Sequence, residues 1–287
     1  MSSTLITGGT GMLGSSLSKY LKECEHNVVV HGYKSKSDIS ADLSEKQSAF
    51  DLLDFLDPSA VINLVCLSNV DQNESDQEMA YKLNVKPVEN ISEWIRARNK
   101  EIRFIQISTD HVYDSPGLNQ EDKVICRNVY AATKYEADMI ALDSGACILR
   151  TNFFGRSESN KRKTFSDWIE MNLIEEKPMK LFNDVYFSPL SIETLTIMIF
   201  HVIENFRSGI YNLGSHDGMS KSEFAYKFIA KMNYKDLLLT EVSVDEIGLK
   251  ANRPKGMLMD VGKFEESFKV KLPDLDWEIQ KHIEGVK

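Results

Sequence analysis

Short apolar runs alternate with longer amphipathic stretches through the first half of the chain. Residues 4–7, 27–31, 60–64, 103–108 and 146–150 are brief, largely aliphatic and bounded by Gly, Asp, Asn or Ser, which predicts strands. Between them, residues 12–22, 45–56, 79–98 and 130–144 have helical character. In the third of these, Ala80, Leu83, Val88, Ile91 and Ile95 keep roughly a helical spacing, so one long helix is expected. Strand–helix alternation implies parallel strands, right-handed crossovers and helices on both faces of one sheet. The expected fold class is α/β: a doubly wound parallel (Rossmann) sheet.

The rhythm changes after Arg150. The polar, basic stretch 156–163 has no strand signal and reads as a loop. Residues 190–205 predict a helix, 209–213 a strand and 220–232 a further helix, while 237–287 are mixed and carry no clear assignment. There is no repeat or low-complexity tract. The pattern predicts a dinucleotide-binding domain from residues 1–155 plus about 188–215. A smaller C-terminal α/β substrate lobe is expected from about 156–187 and 216–287, with a cleft between the two.

Composition narrows the classes of function. With 287 residues, 42% hydrophobic and 27% charged, the chain can bury a substantial core. A formal charge of −9 argues against non-specific nucleic-acid binding, which needs a basic surface to displace counterions. Cys24, Cys66, Cys126 and Cys147 are too widely spaced for zinc and too few for a disulfide scaffold, so they read as reduced core thiols. No signal stretch and no apolar run of about 18 residues is present, which makes a cytoplasmic protein without a membrane partner the expectation.

Residues 4–14 read TLITGGTGMLG, placing Gly8, Gly11 and Gly14 directly after the first strand and at the start of a helix. Glycines here allow a sharp turn, let a pyrophosphate approach the helix N-terminus and let the helix pack on the sheet. Met12 and Leu13 fall in the same turn and join it as cofactor-binding candidates. After the second strand the chain runs His31-Gly32-Tyr33-Lys34-Ser35-Lys36, with no acid until Asp38. An acid would bond the ribose hydroxyls, whereas a cation accepts a 2′-phosphate, so Lys34 favours NADP(H), with NAD(H) as the alternative. Asp42 and Leu43 are then expected beside the adenine.

Tyr130 and Lys134 stand four apart on one face of a predicted helix. Upstream, the strand 103–108 delivers Ser108-Thr109-Asp110 at its carboxyl end, where ligands of doubly wound sheets bind. Reducing a ketone needs a proton for the developing alkoxide. A free tyrosine titrates near pH ~10, and a neighbouring ammonium is expected to lower that value.

Together with the glycine turn, Thr109, Tyr130 and Lys134 resemble the active-site triad of extended short-chain dehydrogenases/reductases. Within that superfamily the pattern is similar to the dTDP-4-dehydrorhamnose reductase group of sugar-nucleotide reductases. The matching stretches are INLVCLSNVD at 62–71, STDHVYD at 108–114, NVYAATK at 128–134, Leu149-Arg150-Thr151 and the Arg253-Pro254 step. The resemblance implies that Tyr130 donates the proton, Lys134 also holds the nicotinamide ribose, and Thr109 orients the carbonyl. It places Cys66 with the cofactor, and Thr109, Asp110, His111, Asn152, Phe153 and Arg253 with the substrate.

Three departures qualify it. Where the group often has a tryptophan that meets the sugar, this chain has Asn152-Phe153. Dehydratases of the superfamily carry an Asp-Glu pair after the threonine; here Asp110 precedes His111, which argues against dehydration. His111 reads more as a packed residue than as a proton relay. No acidic positions match the metal-linked dimer contacts of some members, so no metal is expected, although a homodimer stays open. The resulting expectation is NADPH-dependent reduction of a 4-keto group on a nucleotide-activated deoxysugar. Two alternatives remain: a sugar-nucleotide epimerase with tightly held NAD, and a non-catalytic NADP-binding regulator resembling the β subunit of methionine adenosyltransferase.

Overall fold

The structure, a computed structural model, describes residues 3–33, 36–98, 100–156, 163–232, 234 and 238–286. In chain order the first half runs β1 (Thr4–Thr7), α1 (Met12–Glu23), β2 (Val28–Gly32), β3 (Ile39–Ser40), α2 (Lys46–Leu56), β4 (Ala60–Asn63), α3 (Val70–Ser75), α4 (Gln77–Asn84), α5 (Lys86–Arg96), β5 (Arg103–Thr109), α6 (Val129–Asp143) and β6 (Cys147–Thr151). There follow β7 (Phe153–Phe154), α7 (Phe165–Ile174), β8 (Met179–Phe182), β9 (Tyr186–Phe187), β10 (Leu190–Ser191), α8 (Ile192–Glu204), β11 (Gly209–Leu213), β12 (Met219–Ser220), α9 (Lys221–Lys231), β13 (Leu239–Val242), α10 (Gly262–Phe268) and α11 (Leu275–Val286).

Seven strands form one parallel sheet in the order β11-β6-β5-β4-β1-β2-β3. Strand alternation explains why both faces are covered. On β1, Leu5 packs with Leu53, Val61, Ile91, Trp94 and Phe104, while its neighbour Ile6 packs with Leu17, Ile62, Ile105 and Ile199 on the opposite face. Strand order reverses between β1 and β4, and such a reversal opens a crevice at the carboxyl ends of the strands. A third core, with Phe154, Leu181, Phe187, Phe224, Phe228 and Ile279, belongs to the smaller lobe. Among the described residues, no helix is long and apolar enough to cross a membrane.

Several expectations change. The single helix over 79–98 is two helices, because Pro87 stands at the start of α5, where its missing N–H costs nothing, and would break a continuous helix. Asp76 accepts from Met79 N at 3.0 Å and so starts α4 two residues before 79. Leu190 and Ser191 are a strand paired with β7, and Ser191 caps α8 by accepting from Thr194 N at 3.1 Å. Met259, Val261, Phe264, Phe268 and Leu272 join the sheet core, so this part of the tail leaves the lobe to which residues 216–287 were assigned. All four cysteines are free, but Cys147 alone is buried; Cys24 is exposed, against the reading of four core thiols.

Candidate active site

A cleft of about 740 Å3 runs along the carboxyl ends of the strands between the sheet and the smaller lobe. It begins at the glycine turn. Gly8 has φ +67, and a Cβ there would meet the Leu64 carbonyl carbon and the Val65 amide at 3.0 Å. A Cβ on Gly14 would fall 2.5 Å from Gly9 Cα. These two glycines are therefore required by the packing of the protein on itself. Gly11 is different: its φ is −80, and a Cβ there would meet only the Gly8 carbonyl oxygen at 3.3 Å.

Gly11 is also the N-cap of α1, with no side-chain cap and no acidic residue in the first turn. The first amides of a helix have no intrahelical partner, and its dipole favours an anion there. Met12, Leu13 and Gly14 line the cleft beside them. A bare residue and an uncapped helix end fit a dinucleotide pyrophosphate.

The next wall holds Asp42, Leu43 and Cys66. Asp42 Oδ1 accepts from Ser44 N at 3.0 Å and Ser44 Oγ at 2.6 Å. Burial alone would raise the Asp42 carboxyl, but these bonds and Lys82 hold it below the usual range. Sequence reasoning passed over His31, which lies under the turn. Its Nδ1 accepts from Gly8 N at 3.3 Å, and its Nε2 lies 3.0 Å from the Ala41 carbonyl oxygen. Burial lowers its pKa, which suits a neutral ring with the proton on Nε2. Its position at the end of β2 is the only sign the sequence offers. Lys34 lies outside the described residues, as do 157–162 of the basic stretch; Lys163 lines the cleft.

At the far end, Thr109, Tyr130 and Lys134 open into the same cleft. Thr109 is the last residue of β5 and its Oγ1 accepts from His111 N at 3.2 Å. Asn128 caps α6 by accepting from Ala131 N at 2.9 Å and also donates to the Asn252 carbonyl at 2.8 Å, tying the start of this helix to the 250s segment. Tyr130 and Lys134 are buried on the first turns of α6, and Lys134 Nζ donates to the Ile107 carbonyl at 2.7 Å. The Tyr130 phenol is not lowered as its lysine neighbour had suggested. Burial raises it strongly; the Cys66 thiol, Asp110 and Asp138 add to the rise, against an opposing pull from the Thr109 hydroxyl.

Asp110 is fully buried and accepts from Asn152 Nδ2 at 2.7 Å. Burial pushes its carboxyl up to about 6. His111 packs edge-on against Tyr130, with ring centroids 5.5 Å apart, and burial lowers it to about 3. Burial thus keeps the ring neutral where it packs against Tyr130. Asn152 and Phe153 line the cleft. Arg253 is not brought to the lining; both of its terminal nitrogens bond Asp71, at 3.2 and 2.8 Å, and Nη1 also donates to the Ala251 carbonyl. In exchange the smaller lobe contributes Lys221, the first residue of α9, which nothing in its sequence context distinguishes from an ordinary helix lysine.

The glycine turn over an uncapped helix, with Thr109, Tyr130 and Lys134 beyond the switch point, defines an extended short-chain dehydrogenase/reductase type of α/β protein. The chain belongs to the RmlD substrate binding domain family, which matches residues 1–287. It is 27% identical to a probable low-salt glycan biosynthesis reductase of Haloferax volcanii, over 94% of each chain. It is also 27% identical to a dTDP-4-dehydrorhamnose reductase of Aggregatibacter actinomycetemcomitans, over 96% of each. The dTDP-4-dehydrorhamnose reductase of Bacillus anthracis, solved in complex with NADP, shares the fold with a TM-score of 0.88 at 22% identity, covering 99% of this chain and 100% of that one.

Proposed function

We propose that this protein reduces the 4-keto group of a nucleotide-activated deoxysugar at the expense of NADPH. One observation carries the reading: the bare, uncapped start of α1 and the Thr109–Tyr130–Lys134 set open into one continuous cleft. The reductase names of its relatives and the NADP in the Bacillus anthracis structure support it. The α1 amides after Gly11 would hold the pyrophosphate, with Asp42, Leu43 and Cys66 along the adenosine and nicotinamide path. Bound there, NADPH supplies the hydride.

The remaining chemistry belongs to side chains. Thr109 offers its hydroxyl to the substrate carbonyl and fixes which face of the ketone is presented. Tyr130 gives its phenolic proton to the carbonyl oxygen as that oxygen gains charge. A reduction needs this donor protonated beforehand, which a phenol of ordinary pKa ~10 already is at neutral pH, and burial shifts it further the same way. Lys134 has an ammonium with three donors, one engaged by Ile107, which leaves others for ribose hydroxyls. As negative charge develops on the tyrosine oxygen, that ammonium stabilises it. Asp110 and Asn152 form the polar wall against which the sugar lies.

The test is NADPH oxidation with a panel of dTDP-, UDP- and GDP-linked 4-keto-6-deoxyhexoses. Turnover of at least one is expected. NADPH that binds but is consumed with none of them would replace the enzyme by a dinucleotide-binding regulator.

A further inference from the structure

His31 takes no part in the chemistry described above, yet it holds two consecutive amides of the glycine turn. It is buried near the end of β2. Its carbonyl oxygen accepts from Gly9 N at 2.9 Å, a backbone bond that any residue could make. The ring adds two bonds that belong to this side chain: Nδ1 accepts from Gly8 N at 3.3 Å, and Nε2 lies 3.0 Å from the Ala41 carbonyl oxygen. Gly8 has the left-handed φ of +67, and its own carbonyl oxygen accepts from Gly11 N at 3.1 Å, at the start of α1. Ala41 leads into Asp42 and Leu43, and all three line the cleft. One buried ring thus joins the turn assigned to the pyrophosphate to the wall assigned to the adenosine.

The two ring bonds fix its state. A backbone amide can only donate and a carbonyl can only accept, so both bonds exist together only in the neutral ring with its proton on Nε2. In the charged ring Nδ1–H would point at the Gly8 N–H, and two donors at that distance force the turn or the ring to move. Burial lowers the His31 pKa, against the Ala41 bond and the charge of Asp42, and so favours the neutral ring. Among the described residues, two carboxylates stand on the adjoining segments. Burial would raise Asp42, but Ser44, Lys82 and Tyr33 hold it below the usual carboxylate range. Asp38 accepts from Val30 N at 2.9 Å and lies 3.9 Å from Lys22.

Given a dinucleotide laid along the turn as assigned above, we propose that His31 is a positioning residue for NADP(H). Its neutral ring holds the glycine turn and the 41–43 segment at the spacing the cofactor spans, and a proton on Nδ1 releases both. Because the neutral form binds, affinity is full above the His31 pKa. It falls as pH drops through that value, which lies below the ordinary ~6.5, by up to about tenfold per pH unit.

The experiment measures binding of NADP+ and NAD+ by calorimetry from about pH 8 to 4.5, with circular dichroism at each pH to confirm the fold. It uses the full-length protein, His31→Gln and His31→Leu. The unmutated protein should lose about tenfold or more in affinity for both dinucleotides on the acidic side. His31→Gln keeps an acceptor and a donor but does not titrate, so it should bind within about tenfold of the unmutated protein at pH 8 and lose that decline. His31→Leu leaves the Gly8 amide and the Ala41 carbonyl unpaired and should bind about tenfold or more weakly at pH 8. Any dependence from other groups of the cleft, Asp110 among them, persists in His31→Gln, and NAD+ lacks the 2′-phosphate, so the comparison isolates the ring. Superimposable pH profiles of the unmutated protein and His31→Gln would overturn the proposal. So would His31→Leu binding both dinucleotides as tightly as the unmutated protein; if it does not fold, the His31→Gln comparison decides alone. Failure of both dinucleotides to bind the unmutated protein at pH 8 would instead count against the dinucleotide site itself.

Discussion

The two ends of the cleft are made of different materials. At the glycine turn the groups we assign to the pyrophosphate are backbone amides at the start of α1, where Gly11 carries no side chain. At the end we assign to the sugar, side chains from β5, α6, the 152–153 step and α9 line the cleft. A backbone site is sensitive to added bulk and indifferent to most chemistry. A side-chain site can be disabled by deleting one atom. The same cleft should therefore fail in two separable ways.

Tyr130→Phe is expected to have the largest effect. It removes one hydroxyl, so turnover should fall by about 10²- to 10⁴-fold while NADPH affinity, measured by calorimetry, barely changes. A comparable loss of affinity would erase the distinction between the two ends. Gly11→Val should do the reverse at the other end, weakening NADPH binding about ten- to hundredfold or more with little loss of stability. Its backbone φ is ordinary, and an added Cβ meets only one oxygen at 3.3 Å. Gly14→Val sharpens this contrast. Its Cβ would overlap Gly9, so it should lower the melting temperature, by the equivalent of about 1–3 kcal/mol or more, before any question of binding arises.

Lys34→Ala tests cofactor choice. If this lysine receives the 2′-phosphate, the preference for NADPH over NADH should shrink by about ten- to hundredfold, and an equal loss of NADPH and NADH binding would argue otherwise. The smallest effect concerns stability at the sugar end. The folded Asp110 carboxyl titrates near about 6, above the ordinary ~3.9, so the folded state holds the proton more tightly than the unfolded one. Stability contributed by this group is present below about pH 4, declines as pH rises towards 6, and is flat beyond. Asp110→Asn should abolish that decline and raise stability at pH 7 by about 1–3 kcal/mol, less whatever the Asn152 bond was contributing. Melting curves from pH 4 to 8 that remain parallel for the two proteins would contradict it.

The two ends also differ in how far the sequence discloses them. The glycine turn, β1 and α1 are adjacent in the chain, so local spacing displays them together. Thr109, Tyr130 and Lys134 were legible because each sits at a strand end or helix start with a matching motif around it. Lys221 was not. It reaches the cleft through β9–β12 pairing and a core assembled from segments between Phe154 and Ile283, and no local pattern encodes that approach. The same holds for β8 and β13, which pair across a gap of nearly sixty residues, and for α10, whose Phe264 and Phe268 reach back to the sheet core. Arg253 shows the reverse limit: its motif suggested the ligand but gave no sign of Asp71, with which both of its terminal nitrogens pair. The break between α4 and α5 was encoded locally, in Pro87, and was outweighed by apolar spacing that continues across it.

The central claim is that the dinucleotide and the sugar meet in one cleft and that a bond to carbon forms there. The direct measurement uses NADPH carrying deuterium at its transferring carbon, a keto-sugar nucleotide that the panel identifies, and mass spectrometry of the product. The account predicts that deuterium appears on the carbon that was the ketone, in step with NADPH consumed, and that Tyr130→Phe slows this transfer without moving the label elsewhere. Label that stays on a bound, unconsumed dinucleotide while the keto-sugar is recovered unchanged would contradict it.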